Sequence, residues 1–439
     1  MFGYYMELAL RSLKRSRALT ALMILAIALG IGACMTTLTV LHVLSGDPLP
    51  GRSASIFYPQ MDPRDMKDYA SDQASPSQEY PRQLTWADGM SLLHSRRADH
   101  QALMVGGTVA MQTTDARMDP FFSSSRYTTA DFFPMFETPF RYGRPWTSVE
   151  DDSRARVAVI GSDLNEKLFH GEDSTGRTVR ADGHDLRVIG VLKPWRPVPH
   201  FFDLNVGAFS EQDDVFIPLS TSRDFLLSRA GGIQCWGKGS GDESSLETSE
   251  CAWLQFWVEL DSPAKVAAYR DFLSHYVAEQ KAIGRFERPA HTRMLDLMGW
   301  LDHEKVVPSD VRLQVWLALA FFLVCLINTV GLMLAKFMRR SGEVGVRRAL
   351  GASRISIFSQ LLTEAGMVGL VGGVAGVLLS WLGLWMVRLQ PVSYAKLAHL
   401  DLMMLGVTFA MAIGATVAAG VLPAWRACRI TPALQLKSQ

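Results

Sequence analysis

Four long apolar stretches fix the class of this chain before any other feature is weighed. Residues 18–44, 313–335, 365–387 and 402–422 are almost wholly apolar, and none carries a charge at its centre. Each reaches or exceeds the ~20 residues needed to cross a ~30 Å hydrocarbon layer. A lone strand in lipid leaves backbone groups unpaired, so the four segments are expected to be transmembrane helices. The expected fold class is a membrane protein of four transmembrane α-helices. A large α+β extracytoplasmic domain, residues 45–312, is inserted between helices 1 and 2. Charge adds little. With Lys+Arg 44 against Asp+Glu 43, the net charge of +1 gives no pull toward nucleic acid.

Basic residues set the direction. Arg11, Lys14, Arg15 and Arg17 precede the first stretch. Lys336, Arg339, Arg340, Arg347, Arg348 and Arg354 lie between the second and third, and Arg426, Arg429 and Lys437 follow the fourth. The short loop 388–401 holds only Arg388 and Lys396. The positive-inside rule places segments 1–17, 336–364 and 423–439 in the cytoplasm and 45–312 in the periplasm. A bacterial inner membrane location with both termini cytoplasmic is expected. Ile31-Gly32-Ala33-Cys34 looks like a lipoprotein cleavage box, but the apolar run continues through Leu44, as an uncleaved anchor does.

The cysteines sort by the same topology. Cys34 and Cys325 fall within spans and Cys428 is cytoplasmic, so only Cys235 and Cys251 are exported. An oxidising compartment favours a disulfide between them, closing a loop rich in Gly, Ser and acids. Elsewhere in 45–312, strands are expected at 156–161, 186–192, 215–219 and 253–260. Helices are expected at 163–169, capped by Ser162, and at 263–282. Two lobes joined near 194–207 are expected.

Chemistry-bearing motifs are scarce. Gly171 to Thr178 nearly fits a phosphate-binding loop, but Arg177 replaces the Lys and a helix precedes it where a strand is required. It reads as a plain turn. The histidines show no metal spacing, no G-x-S-x-G elbow is present, and Asp151-Asp152 and Asp213-Asp214 read as solvated turns. No catalytic residue, metal or cofactor is expected.

The spans hold no ionisable residue at mid-depth, which argues against a proton- or sodium-coupled carrier. Asn328 is expected to hydrogen-bond a neighbouring helix. Gly369 with Gly373, and Gly372 with Gly376, form GxxxG pairs. Gly406, Ala410, Gly414 and Ala418 line one face of the fourth span. Both sets suit close helix packing, within one subunit or between two.

Ser341 to Leu350 reads as a short helix, capped by Ser341 and closed by Gly351, and Ser353 caps the helix that enters the third span. Two surface helices carrying apolar and basic residues form either a docking element or a lipid-surface element. Glu343-Val-Gly-Val-Arg-Arg-Ala-Leu-Gly-Ala-Ser353 closely resembles the cytoplasmic motif of MacB/FtsX-like ABC transporter permeases. Gly143-Arg144, Val157 to Gly161, Leu168-Phe169, Gly176-Arg177-Thr178 and Val188 to Val191 resemble the MacB-type periplasmic core domain in order and spacing. Pro423 to Ala427 and Ile430 to Ala433 resemble the family's C-terminal tail.

The resemblance implies a non-enzymatic permease subunit of an export or efflux complex. Glu343, Val344, Gly345, Val346, Arg347, Arg348, Ala349, Leu350 and Gly351 would then couple it to a separate cytoplasmic ABC ATPase. Val344, Val346 and Leu350 are expected to provide the apolar contact, and Glu343, Arg347 and Arg348 its orientation. ATP would be bound by that partner, because no true Walker A or ABC signature motif occurs here. A second permease subunit, same or homologous, membrane lipid and a periplasmic membrane-fusion protein are the other partners implied. Regulation of an exported hydrolase by an FtsX-like permease is the alternative within the family. A membrane-anchored enzyme is the alternative outside it.

Overall fold

A computed structural model describes residues 16–73, 79–112, 119–238, 241–390, 394–397 and 402–429. Arg11, Lys14, Arg15, Lys437 and the Ile430–Ala433 tail motif lie outside the described residues. The chain divides into two compact units, one of Met1–Ser45 with Val307–Gln439 and one of Gly46–Val306.

Among the described residues the first unit holds four helices long and apolar enough to cross a membrane. They are Arg17–Ser45, Ser309–Met338, Arg354–Arg388 and Leu402–Arg429. Their shared core runs through Met23, Ile27 and Ile31 of the first helix, Phe322 and Met333 of the second, Leu361, Ala365 and Val368 of the third and Ala412 and Ala424 of the fourth.

The GxxxG pairs of the third helix use two faces. A Cβ at Gly372 or Gly376 would sit 2.8 Å from Cγ2 of Ile27 or Ile31, so this pair meets the first helix. A Cβ at Gly373 would sit 3.0 Å from Ala412 Cβ, and one at Gly369 would strike Thr416 Oγ1, so that pair meets the fourth. The fourth-helix stripe behaves differently. Gly406, Ala410, Gly414 and Ala418 are exposed, and Gly406 and Gly414 have open space around them. Packing within this chain uses Ala412, Thr416 and Gly420 instead, each two residues, about 200°, on from Ala410, Gly414 and Ala418.

Asn328 corrects another expectation. It is exposed and makes no hydrogen bond to a neighbouring helix among the described residues, because Phe322, Cys325 and Thr329 occupy the inward face.

The inserted unit is built on one mixed sheet, twelve-stranded among the described residues. Its strands are β1 (Ile56–Met61), β2 (Leu84–Thr85), β3 (His100–Gln112), β4 (Phe121–Thr128), β5 (Phe140–Gly143) and β6 (Val157–Ile160). They continue with β7 (Thr178–Ala181), β8 (His184–Leu192), β9 (Val215–Pro218), β10 (Gln234–Cys235), β11 (Cys251–Glu259) and β12 (Thr292–Asp296). The main path runs β12-β1-β11-β3-β4-β9-β6-β8-β5. It is continuous where the sequence reading expects two lobes. β11 is buried along its whole length, as its Cys-Ala-Trp-Leu-Gln-Phe-Trp-Val-Glu run requires of a strand flanked on both sides by β1 and β3.

Cys235 and Cys251 stand opposite each other in the β10–β11 ladder and form a disulfide, with Cα atoms 4.1 Å apart. Helix Ser162–Phe169 begins at Ser162 itself, with Gly161 as its cap residue, so Ser162 does not cap it. The Gly171–Thr178 segment carries positive φ at Gly171 and Gly176 and leads from that helix into β7.

Neither aspartate pair is a plain solvated turn. Asp213 is 9% exposed and lies 2.9 Å from Arg126 Nε and 3.4 Å from His200 Nε2. Burial alone would raise its pKa, but Arg126 and His200 outweigh burial and hold it below the usual carboxylate value. Arg126 is wholly buried, pairs also with Asp203, and stands over the Phe202 ring at 5.1 Å. The cluster ties β4 to the segment leading into its parallel neighbour β9. The other pair contains Asp151, whose carboxyl is pushed up to about 7, chiefly by burial.

Candidate coupling site

The expected docking segment is a helix, Ser341–Ala349, standing between the second and third membrane helices. Arg340 occupies its cap position and no side chain caps it, so Ser341 is its first residue and not its cap. Gly351 follows with φ +99°, a left-handed conformation that side-chain-bearing residues rarely adopt. Ser353 caps the next helix, its hydroxyl accepting from Ser356 N–H at 3.2 Å.

The apolar residues divide by direction. Val346 is 58% and Leu350 83% exposed, and Ile355, at the start of the third membrane helix, is 79% exposed. Val344 packs instead against the membrane-helix core. Two residues apart on a helix is about 200°, so Val344 and Val346 face opposite ways and Val344 is not part of the exposed apolar face. Ile355 adds to that face. Its exposure is not written in the motif, although its position two residues after a Ser cap could have pointed to it.

The basic residues also play a part other than the one expected. Arg347 donates to Gln360 Oε1 of the third membrane helix at 3.0 Å and to Glu343 Oε1 at 2.9 Å. Arg348 donates to the Cys428 carbonyl of the fourth at 3.3 Å. Both arginines fasten the short helix to the bundle. Gly345 and Ala349 contribute no long side chain to these fastenings, and Ala349 is exposed.

Beneath them is a buried ionic cluster that the sequence reading missed. Lys336 of the second membrane helix pairs with Glu364 of the third, and Lys336 Nζ also donates to Thr20 Oγ1 of the first at 3.3 Å. Arg340 reaches the other oxygen of Glu364 at 3.4 Å. A Glu next to an apolar run and a Lys four residues ahead of an Arg are the only traces of it in the sequence. The arrangement is a buried ionic base beneath an exposed apolar apex. Among the described residues no cluster of His, Cys, Asp or Glu is arranged to hold a metal ion.

A family model described as the MacB-like periplasmic core domain matches residues 20–275, and one described as the FtsX-like permease C-terminal part matches residues 315–432. The macrolide export ATP-binding/permease protein MacB of Rhodopirellula baltica is 24% identical over 302 residues, 66% of this chain and 42% of that protein. The pyoverdine export ATP-binding/permease protein PvdT of Pseudomonas savastanoi pv. phaseolicola is 27% identical over 317 residues, 70% of this chain and 42% of that protein. The chain thus spans less than half the length of these curated relatives. Among solved structures, the periplasmic region of MacB from Actinobacillus actinomycetemcomitans aligns over 58% of this chain and 94% of its own, at 13% identity and a TM-score of 0.36.

Proposed function

The chain belongs to the MacB/FtsX-like ABC transporter permease family, and from that premise we propose that it is the permease subunit of an ABC-type export complex. A separate cytoplasmic ATPase binds and hydrolyses ATP. The helix Ser341–Ala349 docks on it, and the membrane helices carry the resulting motion to the exported domain. The observation that carries this reading is the exposed apolar apex of Val346, Leu350 and Ile355 on a helix tied by Arg347 and Arg348 to the third and fourth membrane helices. An exposed apolar patch of this kind marks a contact surface, and rigid fastening is what a lever needs.

In this reading the termini and the 336–364 segment are cytoplasmic, the sheet domain is periplasmic, and the membrane is the bacterial inner membrane. A second permease, same or homologous, completes the complex. The exposed Gly406, Ala410 and Gly414 stripe supports this, because small residues let helices approach closely. A periplasmic membrane-fusion protein is a further partner in the efflux form of the complex. Affinity purification of the full chain from its native membrane, with identification of what it retains, tests the assignment. Recovery of an ABC ATPase is expected. Recovery of the intact chain without one overturns it.

A further inference from the structure

The second membrane helix, Ser309–Met338, has two unlike faces. Val315, Phe322, Cys325, Thr329 and Met333 are buried in the bundle. On the other side Leu317, Phe321, Val324, Asn328, Gly331 and Ala335 are exposed. They follow one another at intervals of four, three, four, three and four residues. That is the a/d spacing with which two parallel helices pack knobs into holes. Lipid could cover the apolar members of this seam equally well, so the spacing alone decides nothing.

Asn328 decides it. It lies inside the apolar stretch 313–335, about 15 Å along the helix from its Met338 end. Among the described residues its carboxamide has no hydrogen-bond partner. Nearby hydroxyls satisfy themselves on their own backbone. Thr329 donates to the Cys325 carbonyl at 2.8 Å, Ser380 to the Gly376 carbonyl at 2.9 Å and Thr416 to the Ala412 carbonyl at 2.7 Å. A carboxamide left bare in hydrocarbon is costly, because lipid tails offer nothing in place of water.

We propose that this face is the contact with a second copy of the same chain, the two second helices packed parallel about a two-fold axis. The carboxamide is donor and acceptor at once and so is its own complement. A two-fold axis sets like against like, so Asn328 of one chain meets Asn328 of the other and the two amides exchange hydrogen bonds. One Asn in an otherwise apolar seam fixes the register of such a pair. Gly331, with open space around it, and Ala335 let the backbones approach on one side of the amide, and Val324, Phe321 and Leu317 fill the seam on the other. The inference rests on the second-permease reading above and narrows it to the same chain and to this helix. It uses neither the fourth-helix stripe nor ATPase docking.

The test is oxidative crosslinking of the full chain, reconstituted alone in phosphatidylethanolamine–phosphatidylglycerol vesicles. Cys34, Cys325 and Cys428 are replaced by Ala. One cysteine is then introduced, either as Val324→Cys on the seam or as Leu323→Cys, which is 58% exposed but about 100° round the helix. A dimer band is expected from Val324→Cys and not from Leu323→Cys. Asn328→Leu, added to Val324→Cys, keeps the helix apolar and should weaken the association about fivefold, read as the lipid dilution at which half the dimer is lost. Asn328→Gln, which keeps a carboxamide, should restore most of it. Equal crosslinking at both positions, as random collision of lipid-covered faces gives, overturns the proposal. So does a dimer from neither position, and so does an unchanged dilution midpoint in the Asn328→Leu protein. A chain that fails these tests yet copurifies with an ATPase loses this contact and keeps its coupling assignment.

Discussion

Lys336 in the second membrane helix pairs with Glu364 in the third, and both side chains are nearly inaccessible, at 2% and 3% exposure. Removing one member leaves a buried charge without its partner, which costs ~3–5 kcal/mol, whereas replacing both with apolar residues of similar size is often neutral. Lys336→Met and Glu364→Leu should each lower the melting temperature of the micelle-solubilised chain, and the double variant should recover most of the loss. Additive losses would show that the pair is not the unit of stability.

Docking through the apolar apex makes a different prediction. Leu350→Asp places a carboxylate in an apolar contact, where an unpaired buried charge costs several kcal/mol. At ~1.4 kcal/mol per tenfold, a micromolar complex falls to negligible occupancy. The variant should insert and fold, since Leu350 is 83% exposed in the chain itself. Val344→Asp should instead destabilise the bundle, because Val344 packs on its core. Copurification of the Leu350→Asp chain with the ATPase at wild-type yield would return the segment to the lipid-surface reading.

The glycines of the third and fourth membrane helices should separate two kinds of packing. Gly376→Leu forces a side chain against Ile31 and should cost ~1–3 kcal/mol of bundle stability. Gly414→Leu meets open space and should leave the melting temperature of the single chain unchanged. If the stripe serves a second permease, Gly414→Leu weakens that association in crosslinking, and unchanged crosslinking would remove the stripe from the interface.

The disulfide closes a 16-residue separation, which the chain-entropy model values at about 3 kcal/mol. Cys235→Ser with Cys251→Ser should lower the melting transition of the sheet domain by several degrees while leaving membrane insertion intact. Thiol labelling of the denatured wild-type chain should reach both cysteines only after reduction.

Asp151 gives the stability of the sheet domain a pH dependence. Burial raises its carboxyl from the ordinary 3.8 to about 7, against the hydrogen bond from Ala130 N–H, with Asp152 and Asp131 adding to the rise. The folded state therefore holds a proton that the unfolded state has released. The associated stability is complete below about pH 4 and is lost as pH rises through about 7. The melting temperature should fall more steeply between pH 5 and 8 in the wild type than in Asp151→Asn. Parallel curves would mean that the carboxyl titrates normally.

How much of this was legible in the sequence follows from the range of each interaction. The spans, the cysteine pair and the left-handed Gly351 depend on composition or on neighbours a few residues away, and they can be read directly. Lys336 and Glu364 lie 28 residues apart in the chain, and Arg126 reaches Asp213 across four intervening strands. No local pattern links such partners, so Asp213 reads as a solvated acid. The direction of Val344 was within reach, since helical spacing alone opposes it to Val346. Which side of the fourth helix faces its neighbours was not, because small residues occur on both.

The third membrane helix runs without interruption for 35 residues, from Arg354 beside the exposed Ile355 to Arg388, about 52 Å of rod. No proline interrupts it, unlike the fourth, which carries Pro423. Glycine notches seat it against the first helix on one side and the fourth on the other. If the proposed docking holds, a displacement applied near Ile355 enters a helix without a proline break and is shared with both neighbours through these notches, so its reach is limited by how far the notched contacts can slide before side chains collide.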